Sequence, residues 1–199
     1  MKVTLLKKDP KVYSANVYLV RGDWNAISDV NTLIDTGTNG FVVDEIETIS
    51  TGVGKRRVEQ IILTHEHFDH AGGLSKIKEL YNPTVYAYTK LTGVDVKVRD
   101  RMKLKIGDRE AIILHTPGHS NDSICIYCEE EQVLFSGDTP LNIKTPGGTY
   151  NQNYVNALEM ITRLNIKTIY SGHDNPMTSN VKEILLNTLK NVRKSKIVL

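Results

Sequence analysis

Short apolar runs separated by turn-forming residues dominate the first two thirds of the chain, and helical spacing dominates the last third. Runs rich in β-branched residues and bounded by Gly, Pro, Asn or Asp predict strands. Apolar residues that recur every three or four positions predict helices. We therefore expect strands at residues 16–20, 31–34, 58–63, 84–88, 111–115, 123–128, 132–135 and 166–170, and helices at residues 71–80, 154–164 and 181–194.

Two details of this pattern make narrower predictions. Residues 96–106 alternate between basic and mostly apolar positions, which predicts a half-buried strand pair with a basic face from Lys97 to Lys105 and a turn or bulge at Asp100. This basic stripe is either a solvated strand face or an attractor for an anionic substrate. Asn180 and Glu183 have the spacing of a capping box at the start of the last helix.

Strands in hairpin-like order, mixed with helices, indicate layered sheets covered by helices, although the pattern alone does not select a topology. The chain has 199 residues, so we expect residues 1–199 to form a single domain. The formal net charge of +2 gives no reason to expect nucleic acid as a partner. We find no apolar segment long enough for a membrane span and no signal peptide, so we expect a cytoplasmic protein that acts on a small molecule.

Cys125 and Cys128 form a C-x-x-C sequence, which occurs in redox and zinc sites. Both cysteines fall within one predicted strand, where residues three apart face opposite sides of a sheet. No second C-x-x-C accompanies them. We therefore expect both thiols to pack in the core, as free cysteines commonly do.

Residues 64–73, with the sequence THEHFDHAGG, hold three of the six histidines and one aspartate. Imidazole nitrogen and carboxylate oxygen together suit a borderline divalent ion such as Zn²⁺. On a helix, residues two apart point in nearly opposite directions, whereas in an extended segment they face the same way. We therefore expect His65 and His67 to lie on extended chain after a strand, with Asp69 and His70 nearby.

Three further candidate ligands occur later in the chain, each directly after a predicted strand. They are His119 in TPGHS, Asp138 in SGDTP and His173 in SGHD. A glycine precedes each of them, as expected where the backbone bends tightly to aim a side chain. The sixth histidine, His115, has no such setting, and we expect it to pack or to support a ligand.

The order H-x-H-x-D-H, then T-P-G-H, S-G-D and G-H, resembles the metallo-β-lactamase superfamily, most closely its glyoxalase II-like hydrolase branch. The I-D-T-G turn at Asp35 is similar to the first motif of that family, and the resemblance runs from about residue 16 to residue 173. It implies an αββα sandwich, in which two facing mixed sheets are flanked by helices and the site lies along one edge.

The resemblance also implies two divalent metal ions, with zinc expected and iron or manganese also suitable. By position, His65, His67 and His119 would hold one ion, while Asp69, His70 and His173 would hold the other. Asp138 would bridge the two ions, and Asp69 and His70 are the candidate catalytic residues. In such a centre a metal-bridged hydroxide, oriented by Asp69, would attack a thioester or other ester-like bond.

Several differences between this sequence and branches of the family narrow the range of activities that the resemblance implies. The lactamases proper carry a cysteine where Asp138 stands, and the diiron flavoproteins usually carry a glutamate where His67 stands. Glyoxalase II enzymes have a C-terminal helical region that grips glutathione, whereas 26 residues follow His173 here, so hydroxyacylglutathione is not the expected physiological substrate.

Two other enzyme classes remain open from the sequence. One is a persulfide dioxygenase-like oxidoreductase with a single iron held by His65, His119 and Asp138. The other is a phosphodiesterase or nuclease like the RNA-processing members, which the modest net charge disfavours. The hypothesis of a binding protein without catalysis is less economical than that of an enzyme, because all seven ligand positions are filled.

Overall fold

The computed structural model describes residues 1–7 and 10–199. The strands in these residues are β1 (Lys2–Leu5), β2 (Tyr18–Arg21), β3 (Thr32–Ile34), β4 (Gln60–Ile62), β5 (Thr84–Ala87), β6 (Val96–Lys97), β7 (Lys103–Ile106), β8 (Arg109–His115), β9 (Ile124–Cys128), β10 (Val133–Gly137), β11 (Thr149–Asn151), β12 (Thr168–Ser171) and β13 (Lys196–Val198). The helices are α1 (Val43–Thr48), α2 (Phe68–Ala71), α3 (Leu74–Tyr81), α4 (Gln152–Thr162) and α5 (Val181–Arg193).

Two mixed sheets contain most of these strands. The first has six strands in the order β1-β2-β3-β4-β5-β6, antiparallel from β1 to β3 and parallel from β3 to β6. The second has five strands in the order β12-β10-β9-β8-β7, antiparallel except for the parallel pair β10–β12. A separate two-stranded parallel sheet joins β11 to β13.

The fold has four layers, and an apolar cluster lies at each of the three contacts between neighbouring layers. The middle cluster lies between the two sheets and includes Ile34 and Ile62 of the first sheet with Ile126 and Phe135 of the second. Burial of such side chains is the main favourable contribution to folding. The two sheets therefore pack face to face.

Helices cover the outer face of each sheet. Leu33 and Ile77 belong to a cluster that packs α1 and α3 on the first sheet, and Leu134, Leu158 and Leu189 belong to one that packs α4 and α5 on the second. This arrangement confirms the αββα sandwich expected from the resemblance. None of the helices in the described ranges combines the length and apolar character that crossing a bilayer requires.

The prediction of a strand pair at residues 96–106 is wrong. β6 pairs with β5 in the first sheet, whereas β7 pairs with β8 in the second, so the two halves of the alternation lie in different sheets. The predicted turn does lie between them, where Arg101 has a positive φ of 63°. The basic side chains consequently do not form one face: Lys103 pairs with Glu110, and Lys105 donates to Ser28 O.

The predicted capping box at the start of α5 is also wrong. Asn180 has φ 53° and ψ 22°, and its side chain makes no capping hydrogen bond. A capping residue needs an extended backbone to aim its oxygen at the first turn, and the left-handed conformation does not provide it. The helix predicted at residues 71–80 is split into α2 and α3, and the short elements α1, β1, β11 and β13 were not predicted.

Both cysteines pack as predicted. Cys125 lies in the cluster under α4 and α5, whereas Cys128 lies between the two sheets, so the two thiols face opposite sides of β9. Both are buried free thiols, and burial raises the pKa of each. This environment favours the protonated thiol and disfavours redox chemistry.

Strand direction determines where the functional loops emerge. Because β8, β9 and β10 alternate in direction and β12 runs parallel to β10, the C-terminal ends of β8, β10 and β12 lie at one edge of the second sheet. β4 of the first sheet ends beside them, since Ile124 N donates to Thr64 O. All four candidate ligand segments therefore meet at this edge.

Candidate metal centre

The histidine cluster follows β4 as the sequence predicts. His65 and His67 lie on non-helical chain, and His67 has φ −59° and ψ 145°. Asp69 and His70 lie on the short helix α2 and are buried. The extended segment lets the first two histidines face the same region, and the helical turn brings the next two side chains back toward it.

The three later candidates lie in the loops that follow β8, β10 and β12, and all seven side chains meet. His119 Nε2 lies 2.9 Å from His67 Nδ1 and 3.5 Å from Asp138 Oδ2. His173 Nε2 lies 3.1 Å from Asp69 Oδ2. The structure thus brings together every residue that the sequence singled out as a ligand.

The ligand atoms form overlapping groups of three. Their members are His65, His67 and His119 in one group, His65, His70 and Asp138 in a second, and Asp69, His70 and His173 in a third. Within each group the ligand atoms lie within 4.8 Å of one another.

Asp138 occupies the position between the two outer groups. Its Oδ2 lies 4.0 Å from His65 Nε2 and 3.3 Å from His173 Nε2, while its Oδ1 lies 3.2 Å from His70 Nε2. One carboxylate therefore reaches donor atoms of both groups, which is the geometry that a bridging ligand requires.

Three buried atoms in this cluster lack a well-aligned hydrogen bond. They are His65 Nε2, and His70 Nε2 and Asp138 Oδ1, which face each other at 3.2 Å. A buried polar atom without a partner is costly, and a cation among these atoms would remove that cost. The donor set of imidazole nitrogens and carboxylate oxygens therefore fits divalent ions of the zinc type.

Asp35 supports the cluster from behind. Its carboxylate accepts hydrogen bonds from the Thr64 backbone N–H at 2.7 Å and from Thr64 Oγ1 at 2.9 Å, and His70 Nδ1 lies 2.7 Å from its Oδ2. With Nδ1 directed at the carboxylate, His70 presents Nε2 to the cluster. A carboxylate behind a metal-binding histidine fixes the ring and raises its basicity.

The pKa shifts in the cluster differ in direction from one side chain to the next. Burial alone would lower the pKa of His70, but the carboxylates of Asp35 and Asp138 outweigh it and raise this pKa to about 10. Burial likewise opposes ionisation of Asp138, but contact with His70 lowers the pKa of Asp138 to about 2. Burial, followed by the neighbouring His70, lowers the pKa of His65 to about 3, which leaves its ring neutral as a ligand must be.

Two glycines are required by the close approach of their loops. Gly137 has φ 49°, and a Cβ there would lie 2.6 Å from Thr64 Oγ1. A Cβ on Gly172 would lie 2.0 Å from Asp138 Oδ1 and 2.8 Å from His70 Cε1. Any larger residue at position 172 would therefore displace the Asp138 carboxylate.

The loop that carries His173 is held by a buried amide that the sequence analysis did not identify. Asn16 is 4% exposed, and its Nδ2 donates to Ser171 O at 2.9 Å and to Asp174 O at 2.8 Å. Tyr18 Oη also donates to Ser171 O, at 2.7 Å. The only signal in the sequence is a polar residue directly before the apolar run at residues 17–20.

Other side chains border the cluster. Tyr13 stacks on His173 with ring centroids 5.4 Å apart and lies near Phe68, and both aromatic side chains are exposed. His115 remains outside the cluster: it stacks on Tyr88, and its Nε2 lies 2.8 Å from Asn121 O. That contact supports the loop before β9, which agrees with the packing or supporting role expected for His115.

A cavity of about 710 Å³ opens beside His119, Asp138 and His173. Its wall comes from the segments at residues 136–143 and 171–179, together with Ile169 and Ile184. Pockets for small molecules commonly have a volume of about 300–1,000 Å³. The cluster therefore lies where a small ligand can reach it.

Curated relatives of known name match this chain over most of its length. The hydroxyacylglutathione hydrolase of Francisella tularensis subsp. novicida (strain U112) is 32% identical over 164 residues, which are 75% of this chain and 64% of that protein. The hydroxyacylglutathione hydrolase of Pelagibacter ubique (strain HTCC1062) is 37% identical over 125 residues, 59% of this chain and 52% of that protein. This chain thus spans less than two thirds of the length of these relatives.

A structural comparison and a family model agree with these matches. The crystal structure of a metallo-beta-lactamase family protein from Thermus thermophilus superposes with a TM-score of 0.69 over 96% of this chain and 80% of that chain, at 21% identity. The sequence model of the metallo-beta-lactamase superfamily matches residues 10–173, the region that contains every residue of the cluster. The chain belongs to the metallo-beta-lactamase superfamily.

Proposed function

We propose that this chain is a metal-dependent hydrolase with a binuclear centre that cleaves a thioester or other ester-like bond in a small molecule. The observation that carries the proposal is the pair of ligand groups joined by Asp138 at the mouth of a cavity. The named relatives support a thioester as the bond, because hydroxyacylglutathione is one.

The groups of neighbouring side chains support the ligand assignment that the resemblance implies. His65, His67 and His119 would hold one ion, and Asp69, His70 and His173 would hold the other, with Asp138 shared. Zinc is the ion we expect, and the donor set also suits iron or manganese. Two such ions, when bound, polarise a substrate carbonyl and lower the pKa of water toward neutrality.

The chain itself contributes orientation and exclusion of solvent. Asp69 is 5% exposed and lies at the second group, so its carboxylate is placed to accept a hydrogen bond from the attacking water and to orient it. Asp35 fixes the His70 ring from the other side. In the overall reaction the oxygen of water joins the acyl carbon, the bond from that carbon to sulfur or oxygen breaks, and a proton passes to the leaving group.

Metal analysis combined with a substrate panel tests this proposal. The protein is purified without added metal, its ions are counted, and it is assayed on thioesters, esters, lactones and bis-p-nitrophenyl phosphate. We expect about two zinc ions per chain and turnover of a thioester or ester that is lost on chelation and restored by zinc. His173→Ala should lose both, whereas His115→Ala, outside the cluster, should keep its metal.

The alternative enzyme classes give different results in the same experiment. A single iron per chain, with oxygen uptake on glutathione persulfide, would identify a dioxygenase and contradict the hydrolase. Turnover of the phosphodiester alone would identify a nuclease-like member of the superfamily. No turnover of any substrate by fully loaded protein would contradict catalysis altogether.

A further inference from the structure

The cavity beside the cluster has an unusual charge composition for a protein with 25 basic residues. Apart from the cluster itself, Asp174 is the one charged residue in its wall, and within the described residues no Lys or Arg lines it. The remaining wall consists of aliphatic side chains and uncharged polar groups; the larger aliphatic ones are Leu141, Ile143, Ile169, Met177 and Ile184.

Two basic groups lie close to that wall but outside it. Lys144 and Lys190 line a smaller cleft of about 360 Å³, which meets the cavity at Asn142, Ile143 and Ile184. Both lysines are exposed to solvent. Away from the ions of the cluster, an anionic group bound within the cavity would therefore have the carboxylate of Asp174 as a neighbour and no Lys or Arg in the described wall.

Two exposed aromatic side chains lie at another border of the cluster. Tyr13 and Phe68 are 68% and 64% exposed, and Tyr13 stacks on the His173 ring. Exposed aromatic side chains are suited to contact with apolar or uncharged groups. These two aromatic side chains, like the described wall of the cavity away from the ions, offer no cation to a carboxylate or a phosphate.

We propose that the substrate of this centre is a thioester or ester whose leaving group carries no carboxylate or phosphate. This inference rests on the proposed hydrolase function and defines its substrate class. Moving a carboxylate from water against the part of the wall away from the ions, where no Lys or Arg lies, is unfavourable because the lost hydration is not replaced. An uncharged chain instead gains contact with the aliphatic part of the wall.

The experiment compares substrates with one acyl group and different thiols. S-acetyl-N-acetylcysteamine has an uncharged thiol, and S-acetylglutathione has a thiol with two carboxylates and one ammonium group, for a net charge of −1. We expect kcat/KM for the neutral thioester to exceed that for the glutathione thioester by about tenfold or more, measured on zinc-loaded protein by release of free thiol.

A variant in the wall gives the reciprocal test. Met177→Lys adds a cation to the cavity and should reduce the preference for the neutral thioester by about tenfold, whereas Met177→Leu should leave the preference unchanged. The side chain of Met177 is partly buried, so melting temperature and metal content are measured for both variants. A preference that is equal in the two variants would contradict the assignment of this wall as the thiol site.

Two outcomes separate failure of this inference from failure of the proposed function. If S-acetylglutathione is the better substrate, and Lys144→Ala with Lys190→Ala removes that advantage, the anionic end of the substrate reaches the neighbouring cleft. The substrate class proposed here would then be wrong, although the hydrolase would stand. If loaded protein hydrolyses neither thioester nor any ester, the proposed function fails and this inference fails with it.

Discussion

Asp35 places a negative charge at the Nδ1 side of His70, opposite the Nε2 atom that faces the cluster. It has a left-handed backbone with φ 60°, and its side chain is buried, with the residue 2% exposed. Its carboxylate accepts a hydrogen bond from Thr64 Oγ1 and lies 2.7 Å from His70 Nδ1. The charge is therefore held at a fixed position, where it supports binding of a cation on the opposite side of the ring.

Asp35→Asn tests this support. The amide keeps the size of the side chain but removes the negative charge behind His70, so we expect affinity for the second ion to fall by about 10- to 100-fold. Affinity for the ion at His65, His67 and His119 should change much less. Both are measured by metal titration.

Asp29→Asn is the matched control for Asp35→Asn. Asp29 is also a buried carboxylate, 6% exposed, and it accepts a hydrogen bond from Ala26 N. It lies in the loop between β2 and β3, away from the cluster, so both metal affinities should remain unchanged. Equal effects of the two substitutions would contradict a specific role for Asp35.

The ligands could be predicted from the sequence more fully than the groups that support them. The spacing of His65 and His67 was informative, because residues two apart in extended chain face the same way. Nothing local in the sequence shows that a carboxylate 35 residues before His70 lies behind its ring. Such a contact depends on the pairing of strands that are distant in the chain.

At the scale of elements, the periodicity of the sequence predicted which side chains are exposed better than it predicted which strands pair. Residues 96–106 alternate as a strand pair would, yet β6 and β7 belong to different sheets. An alternating sequence shows which side chains face the core. The alternation is the same whichever neighbouring strand supplies the hydrogen bonds. The ends of strands were more informative, because each ligand loop directly follows the strand predicted before it.

The contact between the start of β2 and the loop after β12 is an element-level feature with a consequence for metal binding. Asn16→Leu removes the hydrogen bonds to Ser171 O and Asp174 O and leaves these carbonyls without that donor. We expect a loss of about 1–3 kcal/mol of stability. We also expect weaker binding of the ion held by His173, by about tenfold or more.

A substitution at a second buried asparagine distinguishes an effect on the position of His173 from an effect on the stability of the fold. Asn31 is 0% exposed, and its Nδ2 donates to Thr51 O at 2.8 Å and to Arg56 O at 2.9 Å, remote from the cluster. Asn31→Leu should therefore destabilise the fold by a similar amount while both metal affinities stay normal. If it weakens the second ion as much as Asn16→Leu does, the effect of Asn16 is general destabilisation.

On the scale of the whole molecule, the cluster joins the two sheets. The segment at residues 64–70 follows β4 of the first sheet, whereas His119, Asp138 and His173 follow strands of the second. The family resemblance supplied this topology, because hydrophobic patterning fixes which faces are buried but not the order of strands in a sheet. The cavity wall could not be predicted either, since its residues come from separate loops.

Ions that connect the two sheets should stabilise the folded state. Free metal at about 100 times its dissociation constant adds about 2.7 kcal/mol for one site. For a chain of this size that corresponds to a rise in melting temperature of about 5–10 °C. Calorimetry of the zinc-loaded and chelated protein measures the difference, with magnesium as the control ion. Equal melting temperatures for loaded and chelated protein would contradict binding across the sheets.

The most direct test of the account is the number of zinc ions bound per chain in the wild type and in two aspartate variants. We predict about two ions in the wild type, fewer than one in Asp138→Ala with the fold retained, and about two in Asp174→Ala, whose aspartate lines the same cavity outside the cluster. One ion or none in fully loaded wild type, or a full complement in Asp138→Ala, would contradict a binuclear centre shared through Asp138.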